Sequence, residues 1–177
     1  GAELVVVDCD YDFGAPAALA AKAANKVSFF LCAESVLAGI QGVGKNAFSA
    51  SVLAPVQGAT IAEWGVRDKG WKSAYILLDT TIEYNKGVCY GFDWMWREKL
   101  GLKLLGHDVF QNGDTSIASQ ISRIKALPEQ PDVIMMCSYV PGAASAIRQL
   151  RAAGIDSAIG GGSAMSGSYL LDTVRDL

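Results

Sequence analysis

The sequence has no run of lysine and arginine, no long apolar stretch and few residues that commonly bind metal ions. Lys and Arg together number 15 against 18 Asp and Glu, which gives a formal net charge of −3 over 177 residues. Because no basic segment is present, nucleic acid is excluded as an expected partner. The longest apolar runs, such as residues 74–78, fall far short of the roughly 18 residues that suggest a membrane span.

Paired-cysteine motifs are absent and histidine is scarce. The four cysteines, Cys9, Cys32, Cys89 and Cys137, have no CxxC spacing, so a zinc site built on cysteine pairs is not expected. The single histidine, His107, is expected to be a partly exposed strand residue. We therefore expect no metal and no cofactor. The cysteine count fits either redox state, so it leaves the cellular compartment open.

Short apolar runs alternate with helical patterns along the whole chain. Hydrophobic residues make up 51% of the sequence, and many of its 19 glycines follow the apolar runs, which is typical of strand-to-helix turns. Uninterrupted apolar strands separated by helices indicate parallel sheets covered on both faces, so the predicted fold class is α/β. Strands are predicted at residues 3–7, 27–32, 47–51, 73–78, 103–110, 133–137 and 157–159. Helices are predicted at residues 14–25, 55–68, 86–100, from 115 or 116 to 127, 141–153 and 168–176.

Ligands of open parallel sheets bind beyond the carboxyl ends of the strands, and this rule selects five turns. The turns are rich in hydroxyl, carboxylate and tyrosine groups, which favours recognition of a polar small molecule. They comprise residues 8–12, 32–35, 79–81 with Tyr84, 137–139 and 160–163.

Asp8 and Asp10 allow a different hypothesis. Two acids spaced two apart after a buried strand resemble the DxD pattern of haloacid-dehalogenase phosphatases, in which they supply a nucleophile and a general acid around Mg²⁺. Thr80 or Thr81 would supply that family's hydroxyl at a strand end. However, no later strand ends in the paired acids that would complete the metal site. A turn whose acids cap the following helix is the favoured interpretation.

A second resemblance covers nearly the whole chain. Gln57-Gly58 is followed by Lys69-Gly70-Trp71, an apolar strand, Asp79 and the turn Tyr84-Asn85-Lys86-Gly87. Later runs read GDTSIASQISRIK, QPDVI and YVPGAASAIRQLRAAGID. This order of motifs resembles the type I solute-binding proteins of ABC transporters, in particular the leucine/isoleucine/valine-binding family for branched-chain amino acids.

The resemblance implies a binding protein rather than an enzyme. Its fold would be two Rossmann-like α/β lobes that close on a small solute and deliver it to the membrane permease of an ABC transporter. Residues 1–51 would form part of the first lobe and residues 52–177 most of the second, so the chain looks like the central part of a longer protein. No signal peptide is visible, but the resemblance implies a periplasmic or extracellular location. A sensory or receptor ligand-binding domain of the same fold is the alternative.

The resemblance also implies which residues contact the solute. Tyr84 matches the aromatic residue that closes over the ligand from the second lobe, and Tyr139 falls where another aromatic contacts it. Asp10 and Glu34 stand where neutral donors are expected, and Gly162 stands where amino-acid binders place an acid. These departures favour a ligand with cationic or hydrogen-bond-donating groups over leucine or valine. The full candidate set is Asp10, Tyr11, Cys32, Ala33, Glu34, Thr80, Tyr84, Tyr139, Gly162 and Ser163.

Overall fold

Seven strands form two separate sheets in which all neighbouring strands run parallel. The computed structural model describes residues 1–177. The strands are β1 (Leu4–Val7), β2 (Val27–Phe30), β3 (Ala47–Ser49), β4 (Ser73–Asp79), β5 (Lys103–Phe110), β6 (Val133–Cys137) and β7 (Ala158–Gly160). The first sheet has the order β1-β2-β3, and the second has the order β5-β4-β6-β7. The predicted parallel-sheet α/β class is confirmed.

Six α-helices connect and cover these strands. They are α1 (Tyr11–Ala23), α2 (Ala54–Lys69), α3 (Glu83–Asp93), α4 (Ala118–Lys125), α5 (Gly142–Ala152) and α6 (Ser168–Val174). A π-helical segment, Trp94–Lys99, continues α3, and a short 3₁₀ turn, Ser163–Met165, precedes α6. None of the helices combines the length and the apolar character that crossing a bilayer requires.

Both faces of the second sheet are buried, as its continuous apolar strands predict. Tyr75 and Leu77 of β4 pack in one core with residues of α4 and α5. Ala74 and Ile76, which point to the opposite face, pack in a second core with residues of α2 and α3. His107 lies exposed on β5, at the edge of this sheet, as predicted.

The first sheet is covered on one face only. Val7 and Phe30 pack against Ala18 of α1 in a separate small core. Residues of the opposite face remain in contact with solvent: Leu4, Val6 and Phe48 expose 52%, 60% and 52% of their surface. We call these three residues the exposed sheet face. Val6 and Phe48 share it because both pair in register with Phe29 of β2.

Two glycines bring α2 and α3 into close contact. A Cβ atom at Gly58 would lie 1.9 Å from the carbonyl oxygen of Val88, and one at Gly91 would lie 1.8 Å from that of Pro55. No larger residue fits at either position with this helix spacing. The contact sets the N-terminal part of α2 against the C-terminal half of α3. Gln57 of α2 also accepts a hydrogen bond from the hydroxyl of Tyr84.

Several predicted boundaries were wrong. Helix α1 begins at Tyr11, three residues earlier than predicted, because the Asp10 carboxylate accepts a hydrogen bond from the Asp12 N–H and caps the helix. Helix α3 also begins three residues early, at Glu83. The predicted helix over residues 86–100 changes to π geometry after Asp93, and its end is marked by the Leu100 N–H donating to the Met95 carbonyl. Strands β2 and β3 each end two residues early.

Candidate functional site

A cavity of about 540 Å³ lies between the carboxyl ends of the two sheets. Its volume is within the range of about 300–1,000 Å³ that is typical of small-molecule sites. The walls come from the turns after β1, β2, β4, β6 and β7, together with the first residues of α1, α3 and α6. The lining residues are Asp8, Cys9, Asp10, Tyr11, Phe13, Cys32, Glu34, Ser35, Ile82, Tyr84, Tyr139, Ser163, Ala164 and Tyr169.

The turn after β1 presents a row of carboxylates to the cavity. Asp8 accepts a hydrogen bond from the Asp10 N–H at 2.9 Å, and Asp10 accepts one from the Asp12 N–H at 2.8 Å. Burial, the largest cause, and the negative charges of Asp12 and Asp8 raise the pKa of Asp10 to about 6. The hydrogen bond from the Asp12 N–H lowers this pKa and so opposes the rise. The turn therefore holds carboxylates close together with backbone donors satisfying only one oxygen of each.

Tyr84 forms part of the opposite wall, on the first turn of α3. Its hydroxyl donates to Gln57 Oε1 at 3.1 Å and accepts from the Ala164 N–H at 3.2 Å. Burial raises the pKa of this hydroxyl, while the hydrogen bonds from Ala164 and Ser163 oppose that rise and the charge of Glu34 adds to it. Tyr84 is thus held firmly, with its hydroxyl committed to protein partners.

Direct hydrogen bonds join the two sides of the molecule at two places, one between cavity-lining residues and one beside the cavity. Glu34 Oε2, after β2, accepts a hydrogen bond from Ser163 Oγ, after β7, at 2.8 Å. Asp12 Oδ2 of α1 accepts one from the Glu83 N–H, at the start of α3, at 2.9 Å. Each bond joins a residue associated with the first sheet to one associated with the second. These two bonds therefore connect the two sides of the molecule directly.

Tyr139 follows β6 and presents its ring to the cavity. Burial raises the pKa of its hydroxyl, and the charges of Asp79, Asp10 and Asp12 raise it further. The Tyr139 carbonyl accepts hydrogen bonds from Asn112 Nδ2 and the Ala143 N–H, each at 2.9 Å, and from Ser138 Oγ at 3.3 Å. The ring is therefore positioned by the backbone and lies in a region of negative charge.

The four cysteines form two disulfides, a pairing that their spacing did not reveal. Cys9–Cys32 joins the turns after β1 and β2 in the cavity wall, with 4.4 Å between the Cα atoms. Cys89–Cys137 is buried and joins α3 to the end of β6, with 5.7 Å between the Cα atoms. Each disulfide therefore links a segment that carries lining residues to a neighbouring segment.

Seven of the ten candidate ligand-binding residues line this one cavity: Asp10, Tyr11, Cys32, Glu34, Tyr84, Tyr139 and Ser163. The other three do not. Ala33 is buried, and its carbonyl accepts a hydrogen bond from Ser49 Oγ. Thr80 is turned toward the end of β5, where its N–H donates to the Phe110 carbonyl. Gly162 lies behind Tyr84, since a Cβ at this position would stand 2.3 Å from the tyrosine hydroxyl oxygen.

Four lining residues lie outside the predicted set and the selected turns. Phe13 and Tyr169 lie on the first turns of α1 and α6, and Ile82 and Ala164 lie next to predicted residues. Phe13, Ile82 and Ala164 could have been found by extending the selected turns by one residue. Tyr169 gave no signal in the sequence.

The carboxylates of Asp8 and Asp10 have a structural role. Their hydrogen bonds to backbone N–H groups stabilise the turn and cap α1, which confirms the interpretation favoured from the sequence. No group of three or more His, Cys, Asp or Glu side chains is arranged to hold a metal ion. The residues that would complete a Mg²⁺ site with these two acids are therefore not assembled here.

Comparison with known proteins gives one family. A family model described as "Periplasmic binding protein" matches residues 4–175. No curated protein matches the chain. Among solved structures, a leucine-binding protein from Thermotoga maritima superposes with a TM-score of 0.82 at 21% identity, over 97% of this chain and 47% of that protein.

Two further structures were solved with a ligand. A branched-chain amino acid substrate-binding protein from Streptococcus pneumoniae, in complex with isoleucine, gives a TM-score of 0.80 at 22% identity, over 97% of this chain and 47% of that one. A solute-binding protein of an ABC transporter from R. palustris, in complex with benzoate, gives a TM-score of 0.73 at 16% identity, over 90% of this chain and 43% of that one. The chain thus spans less than half the length of these proteins, and likeness at such identities concerns the fold.

Proposed function

This chain belongs to the periplasmic binding protein family, and from that premise we propose that it is the extracytoplasmic solute-binding component of an ABC transporter. It binds a small polar molecule between two lobes for uptake, and it is not an enzyme. Residues 1–51, with the first sheet, contribute part of one lobe, and residues 52–177, with the second sheet, contribute most of the other. The membrane permease of the transporter is its partner.

The observation that carries this proposal is the cavity itself. Every wall is made by residues that follow the carboxyl ends of parallel strands, where open α/β sheets bind their ligands. The Ser163 hydroxyl donates a hydrogen bond to Glu34 across the cavity wall, and the Glu83 N–H donates one to Asp12 beside it, which supports two walls that close on a solute. Two of the structural neighbours hold isoleucine and benzoate, which supports a small organic ligand here.

The disulfides support the proposed location. All four cysteines are paired, and one pair lies exposed in the cavity wall. Disulfides persist in the periplasm and outside the cell, whereas cytosolic thiols are kept reduced. We therefore assign the chain to an oxidising, extracytoplasmic compartment.

The test is a solute screen combined with one pair of tyrosine variants. Polar solutes are screened for those that raise the melting temperature, and their affinity is measured by calorimetry. Tyr139→Ala removes a ring from the cavity and should weaken binding about 10- to 100-fold, the usual loss for a central aromatic contact. Tyr90→Ala is the control, since Tyr90 is 66% exposed and lies on the outside of α3.

Two results would contradict the proposal. One is a screen in which no solute binds saturably to the chain. The other is a solute that binds with equal affinity to the native chain and to Tyr139→Ala, because its site would then lie outside this cavity.

A further inference from the structure

The charge of the cavity has one sign. Asp8, Asp10 and Glu34 line it, and no lysine, arginine or histidine does. Asp12 adds a fourth carboxylate next to the wall, where it accepts a hydrogen bond from the Glu83 N–H. An anionic group placed in this space would meet like charges and no basic side chain.

The three lining carboxylates have no cationic partner elsewhere in the protein. None of the ion pairs in the structure includes Asp8, Asp10 or Glu34. Asp8 and Asp10 are held by backbone N–H groups alone, and Glu34 accepts from the hydroxyls of Ser51 and Ser163. Their charge is therefore available to a ligand.

Aromatic rings make up much of the remaining wall. Tyr11, Phe13, Tyr84, Tyr139 and Tyr169 all line the cavity. The hydroxyls of Tyr84 and Tyr169 are bonded to protein atoms, so these residues offer the ligand mainly their rings. The faces of aromatic rings attract cations, and quaternary ammonium groups are recognised by aromatic rings in this way.

We propose that the solute is an alkylammonium compound without a free carboxylate, whose cationic group lies between Asp10, Glu34 and the tyrosine rings. This inference rests on the proposed solute-binding function and names the class of solute. It follows from the combination of a cavity between the two sheets, carboxylates without a cationic partner and aromatic rings in the same walls. Branched-chain amino acids carry a carboxylate that the lining acids Asp8, Asp10 and Glu34 would repel.

Matched pairs of compounds test the charge and the carboxylate separately. Choline is compared with 3,3-dimethylbutanol, which has nearly the same shape but no charge. Isoamylamine is compared with leucine, which has the same side chain and adds a carboxylate. We expect choline and isoamylamine to bind at least about tenfold more tightly than their counterparts, measured by calorimetry on the 177-residue chain.

Variants identify the residues responsible. Asp10→Asn and Glu34→Gln keep the hydrogen-bonding shape and remove one charge each, so each should reduce affinity for the ammonium compounds about tenfold. Asp156→Asn is the control, because Asp156 is exposed outside the cavity and its removal changes the net charge equally. Affinity of this control should equal that of the native chain.

The outcomes separate the inference from the function on which it rests. Binding of leucine, 3,3-dimethylbutanol or benzoate as tightly as the ammonium compounds overturns the inference and leaves solute binding intact. Ammonium binding that Asp10→Asn and Glu34→Gln do not weaken also overturns it, because the cation would then lie elsewhere. Absence of binding by every compound, including those of the wider screen, overturns both.

Discussion

A double-mutant cycle at Gly162 and Tyr84 tests how the second wall of the cavity is packed. Gly162 has φ −78° and ψ −173°, an extended conformation that any residue adopts, so only space limits a side chain there. A Cβ at Gly162 would lie 2.3 Å from the Tyr84 hydroxyl oxygen and 3.0 Å from Gln57 Oε1. Gly162→Ala therefore forces the tyrosine hydroxyl out of its position.

The size of the effect follows from the contacts. To restore an ordinary distance of 3.4 Å, the hydroxyl must move by about 1 Å, which breaks its hydrogen bonds with Gln57 and Ala164. Overpacking costs about 1–3 kcal/mol, and each lost hydrogen bond costs about 1 kcal/mol. We expect Gly162→Ala to lower the free energy of unfolding by about 2–3 kcal/mol. For a chain of this size, that corresponds to a fall of roughly 4–12 °C in melting temperature.

Tyr84→Phe removes the atom that causes the clash. Alone, it loses the same hydrogen bonds and leaves the Ala164 N–H without its partner, at a cost of about 1–2 kcal/mol. In the double variant, the alanine Cβ no longer meets a hydroxyl, so the double variant should be about as stable as Tyr84→Phe. The double variant would then be about 2 kcal/mol more stable than the sum of the two single-variant costs predicts.

Thermal and denaturant unfolding of the four proteins measures this coupling. Gly113→Ala is the control, because nothing lies within 4 Å of a Cβ at Gly113. Costs that simply add would refute the reasoning, since they would mean that residue 162 and the tyrosine hydroxyl do not compete for space. So would a Gly162→Ala variant as stable as the control.

Three further predictions concern other parts of the structure. Burial raises the pKa of Asp10 from 3.8 to about 6, so its contribution to stability is full below pH 4 and is lost as the pH rises through 6. Asp10→Asn should remove this decline and, after discounting for partial exposure, raise the free energy of unfolding at pH 7 by about 1 kcal/mol. Unfolding measured from pH 3.5 to 7 tests this, and a variant with the same pH profile as the native chain would contradict it. Replacing both Cys89 and Cys137 by alanine should lower the free energy of unfolding by about 4 kcal/mol, the chain-entropy value for a separation of 48 residues. A loss below about 1 kcal/mol in denaturant titration would contradict this prediction. The exposed sheet face should make the 177-residue chain self-associate, and changing Val6 and Phe48 to lysine should reduce this in sedimentation velocity, whereas identical profiles would assign the association to another surface.

The sequence predicted some elements well because their signals are local. The bounds of β6 were predicted correctly, since five consecutive apolar residues lie between Pro131 with Asp132 on one side and Ser138 on the other. The start of α3 was missed because Ile82 precedes it and makes no side-chain cap. The π geometry after Asp93 has no sequence signal of its own.

The position of the site was predictable, but the direction of each side chain was not. Strand-end turns located the cavity, and seven of the ten candidate residues line it. Ala33 and Thr80 lie in the correct turns but point away, because direction along a turn depends on its backbone angles rather than on residue type. Gly162 was misplaced for another reason: the space expected for its side chain is filled by Tyr84, which is distant in sequence. The disulfide pairs were equally hidden, since each joins residues that only the packed sheets bring together.

The Cys9–Cys32 bond has a consequence for the thermodynamics of binding. It joins the turn that carries Asp10 to the turn that carries Glu34, so the two acids cannot drift apart in the free protein. The loss of conformational entropy needed to bring these carboxylates together therefore occurs during folding and oxidation, before any solute arrives. A preorganised wall leaves less entropy to be lost on association, and the affinity of the oxidised protein benefits by that difference.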